Sequence, residues 1–326
     1  MQHQRWLVLG VAVAALVSPA FGFDCKKAAT PSEKAICADP AARAADAAMA
    51  QAFAALLALQ SASAKPTVIA AQARWIRDRD NACADANKRG ACLAEQSVRR
   101  RAFLAAEPEA GPGAPGRLEP FFRYDKGGKG RAAISLQLLK YPAPATPGER
   151  AFNAAVERLV GSLDQPEKDD PAPERYEHDR TMTLPYASPR LVSAHLEGYD
   201  DIGGAHPASF SGNVNLDVER GREAQFSDLL DARGAKAVFG LCEKAVIAQK
   251  KQREGADAPL AAEDLKQLAE NVAAATGKLE NWSFGPEKAT IGYDAYAVGA
   301  YAEGAFDCEI SYATLKALAK PGFPSP

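Results

Sequence analysis

Histidine, methionine and tryptophan are scarce in this chain, at 4, 3 and 3 among 326 residues. His178, His195 and His206 are the only histidines after His3, and neither a His-x-x-x-His nor a Cys-x-x-Cys spacing occurs. Those gaps remove the common zinc ligand sets, so no metal and no other cofactor is expected. No Gly-x-Ser-x-Gly elbow is present either, and six cysteines tied up as disulfides would offer no thiolate, so an enzyme is not expected. Charge of one sign is missing as well: 39 Lys and Arg stand against 41 Asp and Glu, a net −2. Arg99-Arg100-Arg101 is a short run best read as a solvated helix face, and no nucleic acid partner is expected. After the N-terminus no stretch approaches the ~20 apolar residues of a membrane span, so none is expected in the mature chain.

What is present fits an exported globular protein. Hydrophobic residues make up 47% and charged residues 25%, and the length suits two domains. Residues 1–22 read as a secretory signal peptide: Arg5 supplies the positive start, Trp6 to Val17 the apolar run, and Ala20-Phe21-Gly22 a small-x-small cleavage site. A lipid anchor on Cys25 is rejected because Asp24, not a small residue, precedes it. Export places the mature protein in the periplasm or outside the cell, where the cysteines should be oxidised. Cys25, Cys37, Cys83 and Cys92 fall early and Cys242 and Cys308 late, so each part is expected to staple itself.

In residues 23–105 the pattern predicts an all-α, disulfide-stapled helical hairpin. Thr30-Pro31-Ser32-Glu33 has the form of a capping box, and Asp39-Pro40 opens a longer helix with an alanine-rich stripe through Ala42, Met49, Phe53 and Leu56. Pro66 starts the next helix, on which Gln72, Trp75, Arg79 and Cys83 share one face. Trp75 is read as core and Arg79 as structural. A short connection makes the two long helices antiparallel, which pairs Cys37 with Cys83 and leaves Cys25 with Cys92. Closing so long a loop between Cys37 and Cys83 would be worth about 4 kcal/mol in the loop-entropy model. Leu93 to Leu104 forms a last helix.

Residues 106–116, rich in Pro and Gly, read as a linker between two domains. Residues 117–326 then alternate strand and helix patterns. Strands are expected at 132–139, 175–184, 191–199, 208–219, 282–284, 289–293 and 306–312, and helices at 149–163, 235–251 and 261–274, with a Pro- and acid-rich loop at 165–174. This order implies an α+β domain, an antiparallel sheet with helices packed on it. Cys242 with Cys308 is the pair that remains. Charge divides between the parts: 13 basic against 8 acidic side chains over 23–105, and 25 against 31 over 117–326.

Two resemblances rest on these residues. Phe23-Asp24-Cys25, Glu33, Cys37, Trp75, Arg79, Cys83, Cys92-Leu93 and Arg100 resemble the LprI-type lysozyme inhibitor domain. In that family the long helix usually carries a Leu-Asp pair and a Tyr; Ala45-Asp46 and Phe53 stand in their places here. Gly203-Gly204-Ala205-His206-Pro207, Asn213 to Asp217, Phe226 to Leu230 and Tyr296 to Gly304 resemble a domain of unknown function shared by the lysozyme-binding anti-sigma factor RsiV and a peptidoglycan deacetylase. The chain lacks the sigma-binding region of the first and the catalytic domain of the second, so only binding carries over.

The resemblances imply a non-enzymatic envelope protein that binds and inhibits a lysozyme-like muramidase or another peptidoglycan hydrolase. The alternative is a peptidoglycan-binding or envelope-maintenance module without a protein target. Candidate binding residues lie in two glycine-containing loops: Asp200, Asp201, Gly203, Gly204 and His206 in one, Tyr296, Tyr301 and Glu303 in the other. Many lysozymes are basic and carry paired carboxylates in a cleft, which acidic loops would complement.

Overall fold

The computed structural model describes residues 24–166, 176–203, 205–254, 262–324 and 326. The signal-peptide segment, Gly204 and most of the acid-rich 165–174 stretch lie outside the described residues. Four helices build the first part: α1 (Pro31–Ala38), α2 (Pro40–Leu59), α3 (Lys65–Ala82) and α4 (Arg89–Ala105). The capping box at Thr30 is formed, with the Glu33 N–H donating to Thr30 Oγ1 at 3.1 Å and the Thr30 N–H donating to Glu33 Oε2 at 2.7 Å. Asp39 Oδ1 accepts from the Ala41 and Ala42 N–H groups, so both expected helix starts arise from side chains within three residues of the cap. In α2 an 18-residue window reaches a mean hydropathy of 1.3, which by length and composition alone would suffice for a membrane span. Alanine supplies that value, and the expectation of no such run overlooked it. Its Asp46 is paired with Arg79, and its small side chains let α4 pack closely along it.

Two of the expected disulfides are corrected. Cys25 is bonded to Cys37 and Cys83 to Cys92, in place of Cys25–Cys92 and Cys37–Cys83, while Cys242–Cys308 is as expected. Ile36, Ala42, Cys83 and Leu93 share one small cluster, with Cys92 packed against it, so α1 and the start of α2 meet the Cys83–Cys92 bridge. Nearness of helix ends therefore does not choose the partners. Each bridge closes the turn beside it, Cys25–Lys27 onto α1 and the end of α3 onto the first turn of α4.

The second part is α+β. Its main sheet runs in the order β1 (Glu119–Asp125), β2 (Ala133–Lys140), β3 (Glu177–Ala187), β4 (Leu191–Asp201), β5 (Ala208–Asp217) and β6 (Arg222–Glu223). All neighbours are antiparallel except β2 and β3, which are parallel and joined across α5 (Pro147–Val160). A short α6 (Phe226–Leu229), long α7 (Ala232–Glu254) and α8 (Ala262–Thr276) lead to a second, antiparallel sheet of β7 (Trp282–Phe284), β8 (Lys288–Tyr293) and β9 (Phe306–Ser311), and α9 (Tyr312–Leu318) follows. Strand β1 was not announced by alternation: it is an edge strand, the place where Pro120 is tolerated.

Strand alternation divides the main sheet into two faces. One carries Ile134, Leu136, Val192, Ala194, Leu196 and Val214 against Phe152 and Val156 of α5. The other is largely polar and is covered at its two ends by different units. Helices α3 and α4 cover the β1–β2 end, and the second sheet with its helices covers the β4–β5 end. The core of the main sheet runs on into the helices through Met49, Leu56, Val68, Phe103 and Leu104. The 106–116 stretch runs bonded to the end of β3, with the Glu109 N–H on Leu184 O and the Gly113 N–H on Ala187 O.

A cleft on the polar face and a stapled helical region

Between the two covering units the polar face lies open and floors a cleft of about 960 Å³. Register places its side chains in cross-strand rows: Asp179 beside Tyr199 and Ser209, then Thr181 beside Glu197 and Ser211, then His195 beside Asn213. One wall comes from the ends of β8 and β9 and the loop between them, through Asp294, Tyr301, Glu303 and Asp307. Alternate residues on three strands thus meet a loop roughly a hundred residues later in the chain.

Most of these acids already have partners. Arg74 of α3 reaches Asp179 at 2.9 Å and also binds Glu177. Burial raises the Asp179 carboxyl above its usual range against the pull of Arg74. Asp294 accepts from the Ser211 N–H at 2.9 Å and from Ser211 Oγ at 2.8 Å, and Lys250 of α7 binds Glu303. Burial raises Glu303, but the Lys250 hydrogen bond, the Ala300 N–H and nearby positive charge outweigh it and leave the carboxyl below its ordinary range. His195 has Nδ1 2.9 Å from Asn213 Oδ1 and Nε2 3.8 Å from Glu197. Burial alone would lower its pKa; the neighbouring Glu197 carboxylate, the hydrogen bond with Asn213 and the charge of Asp294 raise it above 6.5.

The two loops chosen from the sequence do meet. His206 stacks on Tyr301 with ring centroids 3.7 Å apart, its Nε2 lies 3.3 Å from the Tyr296 hydroxyl, and the Tyr301 hydroxyl donates to Pro207 O at 3.0 Å. Tyr296 is 64% exposed and sits at φ +71°, a left-handed conformation that a tyrosine rarely adopts. Gly203 is at φ +85°, the positive-φ turn for which glycine is suited. Asp200 lies elsewhere: on the opposite face it takes Arg180 Nη1 and Nη2 at 2.8 and 3.1 Å and His178 Nδ1 at 2.6 Å. Asp201 is partly buried at the end of β4, next to the turn. Tyr301 and Glu303 line the cleft, and His206 and Tyr296 continue its rim. The floor residues Asp179, His195 and Glu197 escaped notice in the sequence. Their signal was a polar alternation on three successive strands, where a covered sheet would normally show apolar residues on both faces.

In the helical region Trp75 is half-buried, with the guanidinium groups of Arg79 and Arg100 each 5.2 Å from its ring centroid. Arg79 is buried, its Nη1 3.1 Å from Asp46 and its Nη2 2.9 Å from Asp80. Asp46 of the family-like Ala-Asp pair is thus the partner of that arginine. Among the described residues Arg100 has no such carboxylate: its Nε donates to Gln72 at 2.9 Å and its Nη1 to Gln137 of β2 at 2.6 Å, which joins helix to sheet. Burial pushes its pKa down to about 9, still a cation at neutral pH. A second hollow, of about 460 Å³, lies between α1, α2 and α3, lined by Ile36, Met49, Phe53 and Ile76 with Asp46 and Arg79 among its polar groups.

Residues 25–108 match the family model for lysozyme inhibitor LprI. The match ends with the helical region. No curated protein matches the chain. Among solved structures, a DUF3298 family protein from Pseudomonas aeruginosa PAO1 aligns at 18% identity and a TM-score of 0.46, over 65% of this chain and 98% of that one. A member of the same family from Bacteroides fragilis aligns at 15% identity and a TM-score of 0.44, over 63% of this chain and 93% of that one. Three disulfides fit an extracellular or periplasmic location.

Proposed function

We propose that this protein is a non-enzymatic component of the cell envelope that binds and inhibits a lysozyme-like muramidase. The observation that carries the proposal is the match of residues 25–108 to the LprI lysozyme inhibitor model. The residues behind that resemblance are held in a rigid arrangement, with Arg79 clamped by Asp46 and Asp80 and the helix ends stapled by two bridges. Rigid presentation of a surface lowers the ordering cost of binding. The resemblance read from the sequence of 117–326, to a domain of unknown function shared with the lysozyme-binding anti-sigma factor RsiV, favours the same function, with exposed Tyr296 and His206 as its loop contacts. The two surfaces on offer are therefore the α1–α2–α3 hollow and the aromatic loop pair.

Turbidimetric lysis of cells by muramidases of several types, with and without the pure mature protein, tests this directly. The expected outcome is slower lysis by at least one type, with 1:1 co-elution of the pair. Ile76→Asp in the hollow and Tyr296→Ala in the loop pair then assign the surface, since each side chain is exposed and neither is needed for the core. Uninhibited lysis across all types, together with no co-elution, would refute the proposal.

A further inference from the structure

The cleft on the polar face is a site in its own right, and nothing in the muramidase proposal uses its floor. Three properties limit what it can hold. First, its size lies at the upper end of the ~300–1,000 Å³ range of small-ligand sites, and its floor is formed by neighbouring strands of one β-sheet. Second, it presents mainly hydrogen-bond acceptors: Glu197, Asp294 and Asp307 line it, while the Thr181 and Ser211 hydroxyls donate to Asp179 and Asp294 at 3.3 and 2.8 Å. A carboxylate has about four lone-pair positions, so those already bonded still accept. Third, Tyr301 lines the wall as a fixed ring, stacked on His206 and tied by its hydroxyl to Pro207 O.

A basic peptide would also seek carboxylates. Here, however, part of the charge is answered from behind the surface: Arg74 holds Asp179 together with Glu177, Lys250 holds Glu303, and Ser211 donates twice to Asp294. What remains is a set of acceptors beside a braced aromatic ring. That combination suits a ligand rich in hydroxyl and amide donors with an apolar C–H face. We infer that the cleft between the main sheet and the β8–β9 loop binds an oligosaccharide chain, one sugar face lying on Tyr301 and its hydroxyl or acylamino groups donating to Glu197 and Asp307. The positive φ of Tyr296 fits this use, since strain persists where neighbouring structure enforces it, and here it sets a second exposed ring 5.5 Å from Tyr301.

Isothermal titration calorimetry of the full mature chain with chitohexaose, cellohexaose and hexalysine tests the inference. Binding of at least one saccharide is expected, with Tyr301→Ala weakening it by about tenfold, the loss of one aromatic contact. Tyr301→Phe keeps the ring and should bind within about twofold of wild type, whereas Glu197→Gln should weaken binding by about threefold to tenfold. Thermal melts report whether each variant folds. Should Tyr301→Ala not fold, Glu197→Gln and saturation-transfer NMR on the wild type decide the matter. No saccharide binding up to about 10 mM, a limit near −2.7 kcal/mol, would overturn the inference. So would saccharide affinity unchanged by either Tyr301→Ala or Glu197→Gln, or hexalysine binding without saccharide binding, which would make this a site for cationic peptides.

Discussion

The helical and sheet regions are stabilised over different distances along the chain. Cys25–Cys37 and Cys83–Cys92 span 12 and 9 residues, while Cys242–Cys308 spans 66 and ties α7 to β9. Their cores differ in the same sense. The sheet region fills its own interior, including fully buried Trp282, Phe284 and Phe152. Among the described residues the helical region has a small cluster around Ile36 and Leu93, and its larger side chains join the core beneath the main sheet. Local staples fasten the turns of the helical region, but only docking on the sheet buries its apolar face. Its alanines explain this, because close helix packing leaves little side-chain volume to exclude water.

Trp75 and Trp282 give the sharpest test of that contrast. Trp282 is fully buried and its Nε1 donates to Thr276 O at 2.8 Å. Trp282→Ala should cost about 3–5 kcal/mol by urea denaturation. Half-buried Trp75, which the sequence placed in the core, should cost only about 2 kcal/mol as Trp75→Ala, through lost packing and two cation–π contacts. Equal losses would mean that the helical region has a core of its own. The disulfides come next: by loop entropy, the Cys242→Ser/Cys308→Ser pair should cost about 4 kcal/mol, against about 2.5–3 kcal/mol for either local bridge. A larger loss from Cys83→Ser/Cys92→Ser than from the long-range pair would overturn that contrast between local and long-range stabilisation.

Smaller effects probe the junction. Arg74→Ala removes a partly buried clamp on β3 and should cost about 1–2 kcal/mol, seen as faster amide exchange in α3 ahead of β4. Uniform acceleration in both would show that the two regions open together. The smallest effect is that of His195. Its folded pKa lies above 6.5, so its stabilisation is complete below pH 6.5 and is lost as pH rises through the folded value. NMR titration of the ring should show this, and Glu197→Gln should move the midpoint down. An unmoved midpoint would show that Glu197 does not hold the imidazolium.

Features governed by neighbours a few residues apart were determined by the sequence alone. Thr30 with Glu33 and Asp39 with Pro40 start helices through bonds that span two to four residues, and the same device at Thr146 and Glu149, not noticed in the sequence, starts α5 at Pro147, two residues before the expected 149. The period-two alternation of β2, β4 and β5 likewise placed strands that the sheet confirms. Cys242–Cys308 followed because it was the one pair left. Only the tertiary structure decided which of the four early cysteines bond, because each bridge joins the residues flanking a turn and not the two ends of the long hairpin. It alone set Arg100 against Gln137, turned Asp200 to the far face, and assembled Asp179, Glu197 and Tyr301 around one cleft. Strand register and the docking of three units carry that information, and both are set by packing between residues distant in sequence.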